Sequence, residues 1–310
     1  MTAALLAPPA PSAAATCRPD HGYVVAADGT ALAVRDHHPV GAEATIIPLH
    51  GFCLSKESWN LQRRYLIRRW GHQVRVIDYD HRGHGQSEAA PSGTATVDQL
   101  ADDLATVITT LGVSTPLILA GHSMGAMAVL KYMARAHRPI DPSGLVLVAT
   151  AAHNVAEHGI GRMLATPVTA ALQHVVTYLP DLLVRRLTRP VCTAIGHCVH
   201  CGRDEQATLC SLTASAITRT PLSTAIGFLP ALRTYDAHHV LPTITAPTVV
   251  VSGGADLLTP PVHAREMAAA IPGAEHIHLP NAGHMMLTEA HTAVNDALGR
   301  VLHGCLRSTP

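Results

Sequence analysis

The chain has 310 residues, 47% hydrophobic and 14% charged, with 22 basic residues balancing 22 acidic ones. That length can bury a substantial core, and zero net charge without a basic cluster argues against a nucleic-acid partner, because phosphate binding needs clustered Lys and Arg. A small disulfide scaffold is excluded by length despite the seven cysteines, and no apolar run reaches the ~18 residues of a membrane-spanning helix.

The first residues, "MTAALLAPPAPSAAAT", have neither the basic start nor the unbroken apolar core of a signal peptide. Residues 1–20 read as a flexible Ala/Pro tail. Mostly free thiols fit a reducing cytosol, with export by another route or peripheral membrane association left open. From Gly22 the chain alternates strand-like and helix-like pieces. "YVVAADGTALAVRDH" predicts a hairpin around Asp28-Gly29, a pair that tolerates positive φ. "TIIPLHG" (45–51) is a buried strand, and a helix follows over roughly 56–70. "QVRVIDYD" (73–80) is the next strand, and residues 97–111 carry apolar positions at i, i+3, i+4 and i+7. "PLILAGHS" is a third strand that leads at once into the helix "MGAMAVLKYMARAH", and "GLVLVAT" (144–150) is a fourth.

This alternation predicts an α/β fold: a mostly parallel sheet covered by helices on both faces. Residues 152–240 break the pattern, with helix-like pieces cut by prolines and no clear strand. Strands return at "PTVVVSGG" (247–254) and "AEHIHLP" (274–280), with helices near 261–271 and 287–303. The organisation expected is a core of 21–151 and 241–310 interrupted by a helical insertion over 152–240. The pairs Arg63-Arg64, Arg68-Arg69 and Arg185-Arg186 read as solvated helix faces. The 22 histidines are spread along the chain, too many for any one site.

"AGHSMGA" sets Ser123 between Gly121 and Gly125, directly after a strand and directly before an amphipathic helix. So tight a turn strains and exposes the serine, and the glycines remove side chains that would clash. A serine hydroxyl needs a base, and the base an orienting acid. Asp256, in the turn after "VVVSGG", and His284, in "LPNAGHMM", follow in the chain order this arrangement expects, on loops at the same sheet edge. Glu266 and Glu289 compete as acids but fall inside predicted helices. The negative oxygen of a tetrahedral intermediate needs pre-placed donors. The main-chain N–H of Met124, at the helix N-terminus, is one. The other is that of Phe52, where His50 and Gly51 end a strand and turn the chain close to Ser123.

Together "HGF", "DHRGHGQS", "GHSMG", "GGADLLTP" and "GHMMLTE" resemble the α/β-hydrolase superfamily across essentially residues 22–303 apart from the insertion. "HGFCLSKESW" and "GHSMG" are most similar to its lipase, esterase and cofactor-free haloperoxidase branch, monoacylglycerol lipase-like proteins included. The resemblance implies Ser123, Asp256 and His284 as a triad and Phe52 and Met124 as oxyanion donors. It further implies 152–240 as a cap over the site, and structural roles for Arg82, paired with an acid, and Ser87. Serine at 123 disfavours the dehalogenases and epoxide hydrolases, which carry Asp there.

The activity expected is hydrolysis of a small-molecule or lipid-like ester, with no cofactor or metal called for. Perhydrolysis, thioester or C–C bond hydrolysis by the same triad stays open, as does a catalytically silent binding protein on this fold. The apolar pieces of 152–240 either dock the insertion on the core or form an acyl-binding tunnel. "GHCVHCG", with His197, Cys198, His200 and Cys201, lies there, flanked by Cys192 and Cys210. Its spacing departs from paired zinc ligands, so thiols packing a helix face are expected, ahead of a disulfide or an adventitious metal. Oligomeric state is not legible.

Overall fold

A computed structural model describes residues 21–114, 116–157 and 220–307. Eight strands form one sheet in the order β1-β2-β4-β3-β5-β6-β7-β8. β1 (His21–Val25) and β2 (Ala31–His37) form the expected hairpin, with Gly29 at φ 89° in its turn. β2 runs antiparallel to β4 (Val74–Tyr79), and every later pairing is parallel. The central strands β3 (Ala44–Leu49), β5 (Leu117–His122), β6 (Gly144–Val148) and β7 (Thr248–Gly253) are buried at every residue. That is why they read as continuous apolar runs: helices cover both faces of a parallel sheet. The edge strand β8 (Glu275–Leu279) is half exposed.

One face is covered by α2 (Val97–Thr110), α3 (Met124–Met133), α4 (Leu222–Arg233) and α5 (Pro261–Ala270). The other holds α1 (Asn60–Trp70) and α7 (His291–Arg307). α2 starts where the Thr96 hydroxyl accepts the Gln99 N–H at 3.1 Å, an N-cap worth about 1 kcal/mol. It buries Val97, Leu100, Ala101, Leu104, Val107 and Ile108. α7 buries Val294, Leu298, Val301 and Leu302 on one stripe, roughly 1.5–3 kcal/mol for each large side chain. No helix among the described residues is long and apolar enough to cross a membrane.

The α/β architecture expected from the alternation is present. Two readings need correction. The helix expected at 287–303 is two: α6 (Met286–Glu289) and α7, separated at Ala290, whose φ −130° and ψ 35° are not helical. Arg63 does not belong to a solvated face; it reaches the buried Asp78 at 3.2 Å. The 152–240 insertion is described only at 152–157 and 220–240. "GHCVHCG", Cys192, Cys210 and Arg185-Arg186 lie outside the described residues.

Strand order places the site. The chain leaves β3 toward β4 on one side, then returns across to β5 on the other. A crevice opens at the carboxyl ends of such a reversing pair. In the β3–β5 register Leu49 faces Gly121, so His50 and Gly51 emerge beside His122 and Ser123.

Candidate active site

Ser123 joins β5 to α3 with φ 52° and ψ −120°, a left-handed conformation that costs a non-glycine residue of order 1–3 kcal/mol. Its N–H donates to Val148 O at 2.9 Å, and the Thr150 hydroxyl donates to Ser123 O at 2.9 Å. These bonds to β6 and the loop after it hold the strained turn. A Cβ on Gly121 would fall 2.3 Å from Ala126 Cα, and one on Gly125 2.3 Å from Leu49 O. Both obstacles are main chain and have no rotamer by which to move aside.

The three sequence-predicted side chains meet. Ser123 Oγ lies 3.1 Å from His284 Nε2, and His284 Nδ1 lies 2.8 Å from Asp256 Oδ2. The carboxylate requires Nδ1 to carry the proton, which leaves Nε2 to accept from the serine hydroxyl. Asp256 is fully hydrogen-bonded: Oδ1 accepts the N–H of Leu258 (2.8 Å) and of Thr259 (2.9 Å), and the Thr259 hydroxyl donates to Oδ2 (2.7 Å). Burial alone would raise its carboxyl. Electrostatic interaction with the facing His284 ring, with the bonds from His284 and Thr259, outweighs burial and holds it below the ordinary carboxylate value. Asp256 therefore stays ionised opposite the imidazole.

His50, Gly51 and Phe52 run across the nucleophile. A Cβ on Gly51 would sit 2.8 Å from His122 Nδ1 and 3.3 Å from Ser123 Cβ, so only glycine lets the chain pass so close. Leu54 N–H closes a turn onto Gly51 O at 3.2 Å with Cys53 at φ 56°, and Phe52 occupies that turn. Met124 is the first residue of α3, and the first amides of a helix have no acceptor within it.

Sequence reasoning missed what holds this loop. His50 Nδ1–H donates to Gly51 O at 2.8 Å, and its Nε2 accepts the His81 N–H at 2.9 Å. His81 Nε2–H returns a bond to His50 O at 3.1 Å. The ring centroids of these two lie 4.4 Å apart, with His84 5.3 Å from His50. All three are buried, and burial pushes their imidazoles down, His84 to about 4. They are neutral rings that brace the turn. Next to them Lys56 Nζ meets Asp80 Oδ2 at 2.6 Å while Lys56 N–H donates to Asp80 Oδ1 at 2.8 Å. Arg82 forks onto Asp103 with two 2.7 Å bonds and reaches Asp28 Oδ2 at 2.7 Å. That is the acid pairing expected of it, and Ser87 Oγ–H donates to Asp80 O at 2.6 Å. Glu289, weighed as a competing acid, lies elsewhere: its carboxylate takes the N–H of Gly283 and of Met285. Its signal was available, since an acid one turn into a helix reaches back to the N-cap amide. Among the described residues no three His, Cys, Asp or Glu are grouped to hold a metal ion.

The chain matches the family model described as serine aminopeptidase, S33, over residues 41–291. The chain belongs to the α/β-hydrolases. An AB hydrolase superfamily protein of Bacillus subtilis, YisY, is 27% identical to this α/β-hydrolase over 90% of the chain and 97% of its own length. A non-heme haloperoxidase of Rhodococcus erythropolis is 37% identical over only 36% of the chain and 38% of its own length. Among solved structures, a thermophilic esterase of Thermogutta terrifontis superposes with TM-score 0.73 at 25% identity, covering 92% of this chain and 98% of that one.

Proposed function

We propose that this α/β-hydrolase cleaves carboxylic esters through an acyl-enzyme on Ser123. The observation that carries the reading is the continuous hydrogen-bonded relay from Ser123 Oγ through His284 to Asp256, at 3.1 and 2.8 Å, with the serine on a strained elbow. Ser123 Oγ attacks the ester carbonyl as its proton passes to His284 Nε2. Asp256 holds the tautomer and stabilises the imidazolium without itself taking the proton. The N–H groups of Phe52 and Met124 receive the oxyanion, each worth about 10²–10³ in rate. Collapse expels the alkoxide, which takes the His284 proton; water then repeats the sequence on the acyl group. No cofactor takes part.

Residues 152–240 serve as a cap between the two halves of the core, 21–151 and 241–310. At its described end α4 carries Phe228, 5.6 Å from His84, and His84 lies 6.3 Å from Phe52. Phe228 is fully buried, whereas Phe52 is only partly buried beside the oxyanion turn, and that apolar ring favours an ester with an apolar, lipid-like portion. The similarity to an sn-1-specific diacylglycerol lipase of Mus musculus, ABHD11, at 24% identity over 82% of the chain, agrees with that preference. The Rhodococcus haloperoxidase similarity favours a second reading, perhydrolysis by the same relay. Ester turnover against halide oxidation in acetate and hydrogen peroxide separates the two. The test of the relay is Ser123→Ala with p-nitrophenyl esters of graded acyl length. A folded variant with turnover down about 10⁴-fold or more is the expected result; unchanged turnover would overturn the proposal.

A further inference from the structure

His284 is held at its side chain by Asp256, but its main chain is also gripped from both sides. Glu289 is the last residue of α6 and folds back toward the loop before it. Its Oε2 accepts the Gly283 N–H at 2.7 Å, and its Oε1 accepts the Met285 N–H at 3.2 Å. These are the residues immediately before and after His284. A Cβ on residue 283 would lie 3.0 Å from Glu289 Oε2, so the glycine there admits the carboxylate. In addition, His122 Nε2–H donates to the His284 carbonyl at 2.9 Å. The His122 ring is fully buried, lies 5.1 Å from the His284 ring, and abuts Gly51. One imidazole therefore touches the turn that carries Phe52 and the loop that carries His284.

We propose that Glu289 and His122 are positioning residues, which clamp the main chain of residues 283–285 so that His284 Nε2 meets Ser123 Oγ. The proposal rests on the reading of Ser123, His284 and Asp256 as the catalytic relay. His284 sits on a loop between β8 and a helix of a single turn, and neither gives its backbone a ladder of hydrogen bonds. Charged acceptors bind amides about twice as strongly as neutral ones, so one carboxylate on two amides supplies what the loop lacks. Burial keeps His122 neutral, its pKa pushed down to about 3, so it donates through Nε2–H without setting a second positive charge beside the imidazolium that forms on His284.

Misplacing a catalytic group by about 1 Å can cost on the order of 10²-fold. Glu289→Ala should therefore lower kcat about 10–100-fold with KM within about two-fold, because the amides lost touch no substrate. Glu289→Gln keeps one acceptor oxygen and should recover part of the loss. His122→Phe keeps a ring but no donor and should also lower kcat. Because both act on the same three residues, the double variant should lose less than the product of the single losses. The low-field proton resonance of His284 Nδ1–H reports the relay without any ester, and it should broaden or shift in Glu289→Ala. If no ester is turned over by the wild type, the proposed function fails, and this resonance still decides the clamp. A Glu289→Ala protein with wild-type kcat, or with an unchanged resonance, overturns the clamp. Should Glu289→Ala not fold, Glu289→Gln is read in the same way.

Discussion

Replacing His84 by glutamine should make the protein less sensitive to acid. His84 is buried among His50, His81, Phe52 and Phe228 and donates through Nδ1–H to Arg82 O at 2.9 Å. Burial pulls its pKa from 6.5 to about 4, against the opposing effects of that hydrogen bond and of the nearby Asp80 charge. Between those two values the unfolded chain binds a proton that the folded chain refuses. The sign follows: above 6.5 the ring contributes no pH dependence, and below it the folded state loses up to ~1.4 kcal/mol per pH unit until about pH 4. Over the interval the loss sums to roughly 3 kcal/mol, a large part of the stability of a typical domain. Glutamine can still donate to Arg82 O but does not titrate. Asp78, raised to about 6 by burial against its arginines, and Asp103, also raised by burial, titrate with the opposite sign. Both are present in each protein and cancel in the comparison. The variant should start less stable at neutral pH, having lost ring contacts, and its deficit should shrink by roughly 3 kcal/mol on going to about pH 4. Urea unfolding of both proteins at intervals across that range measures it. Parallel stability curves would refute the reasoning, because they would mean the ring is protonated in the folded state as readily as in the unfolded one.

Lys56→Met strands the buried Asp80 without its cation, and breaking such a pair from one side costs about 3–5 kcal/mol. The retained N–H of residue 56 and of Gln86, at 2.8 and 2.9 Å from the carboxylate, favours the lower end. A thermal midpoint within about 2 °C of wild type would contradict this, since 1 kcal/mol moves a domain of this size by roughly 2–4 °C. Gly125→Ala places a methyl 2.3 Å from Leu49 O and 2.6 Å from His50 O. It should separate β3 from the elbow and lower kcat at least about ten-fold with a loss of 1–3 kcal/mol in stability, read from kinetics and melts of the same preparation.

Some parts of this molecule were legible in the sequence because short-range geometry forces them. Gly121 and Gly125 are required by main-chain atoms a few residues away or on the adjoining strand, so the strand–Gly–x–Ser–x–Gly–helix pattern carries its own reason. β3, β5, β6 and β7 read correctly because a strand buried on both faces is predominantly apolar, its few polar residues lying toward the strand ends. The parts that were not legible depend on partners far apart in sequence. His50 and His81 bond each other twice across 31 positions, and although each lies in a recognisable motif, nothing local pairs one with the other. His122 sits inside the elbow motif as an unconstrained position, yet its partner is the carbonyl of His284, 162 residues on. Lys56 follows the same logic, since a lysine in a polar stretch reads as solvated until Asp80 comes from β4's far end to meet it. Ser123, the nucleophile proposed on this edge, is therefore marked by local strain. The residues that hold it in register with His284 are marked only by hydrogen bonds closed in the folded chain. Substitutions at such holding positions should accordingly alter kcat while Ser123, His284 and Asp256 themselves are unchanged.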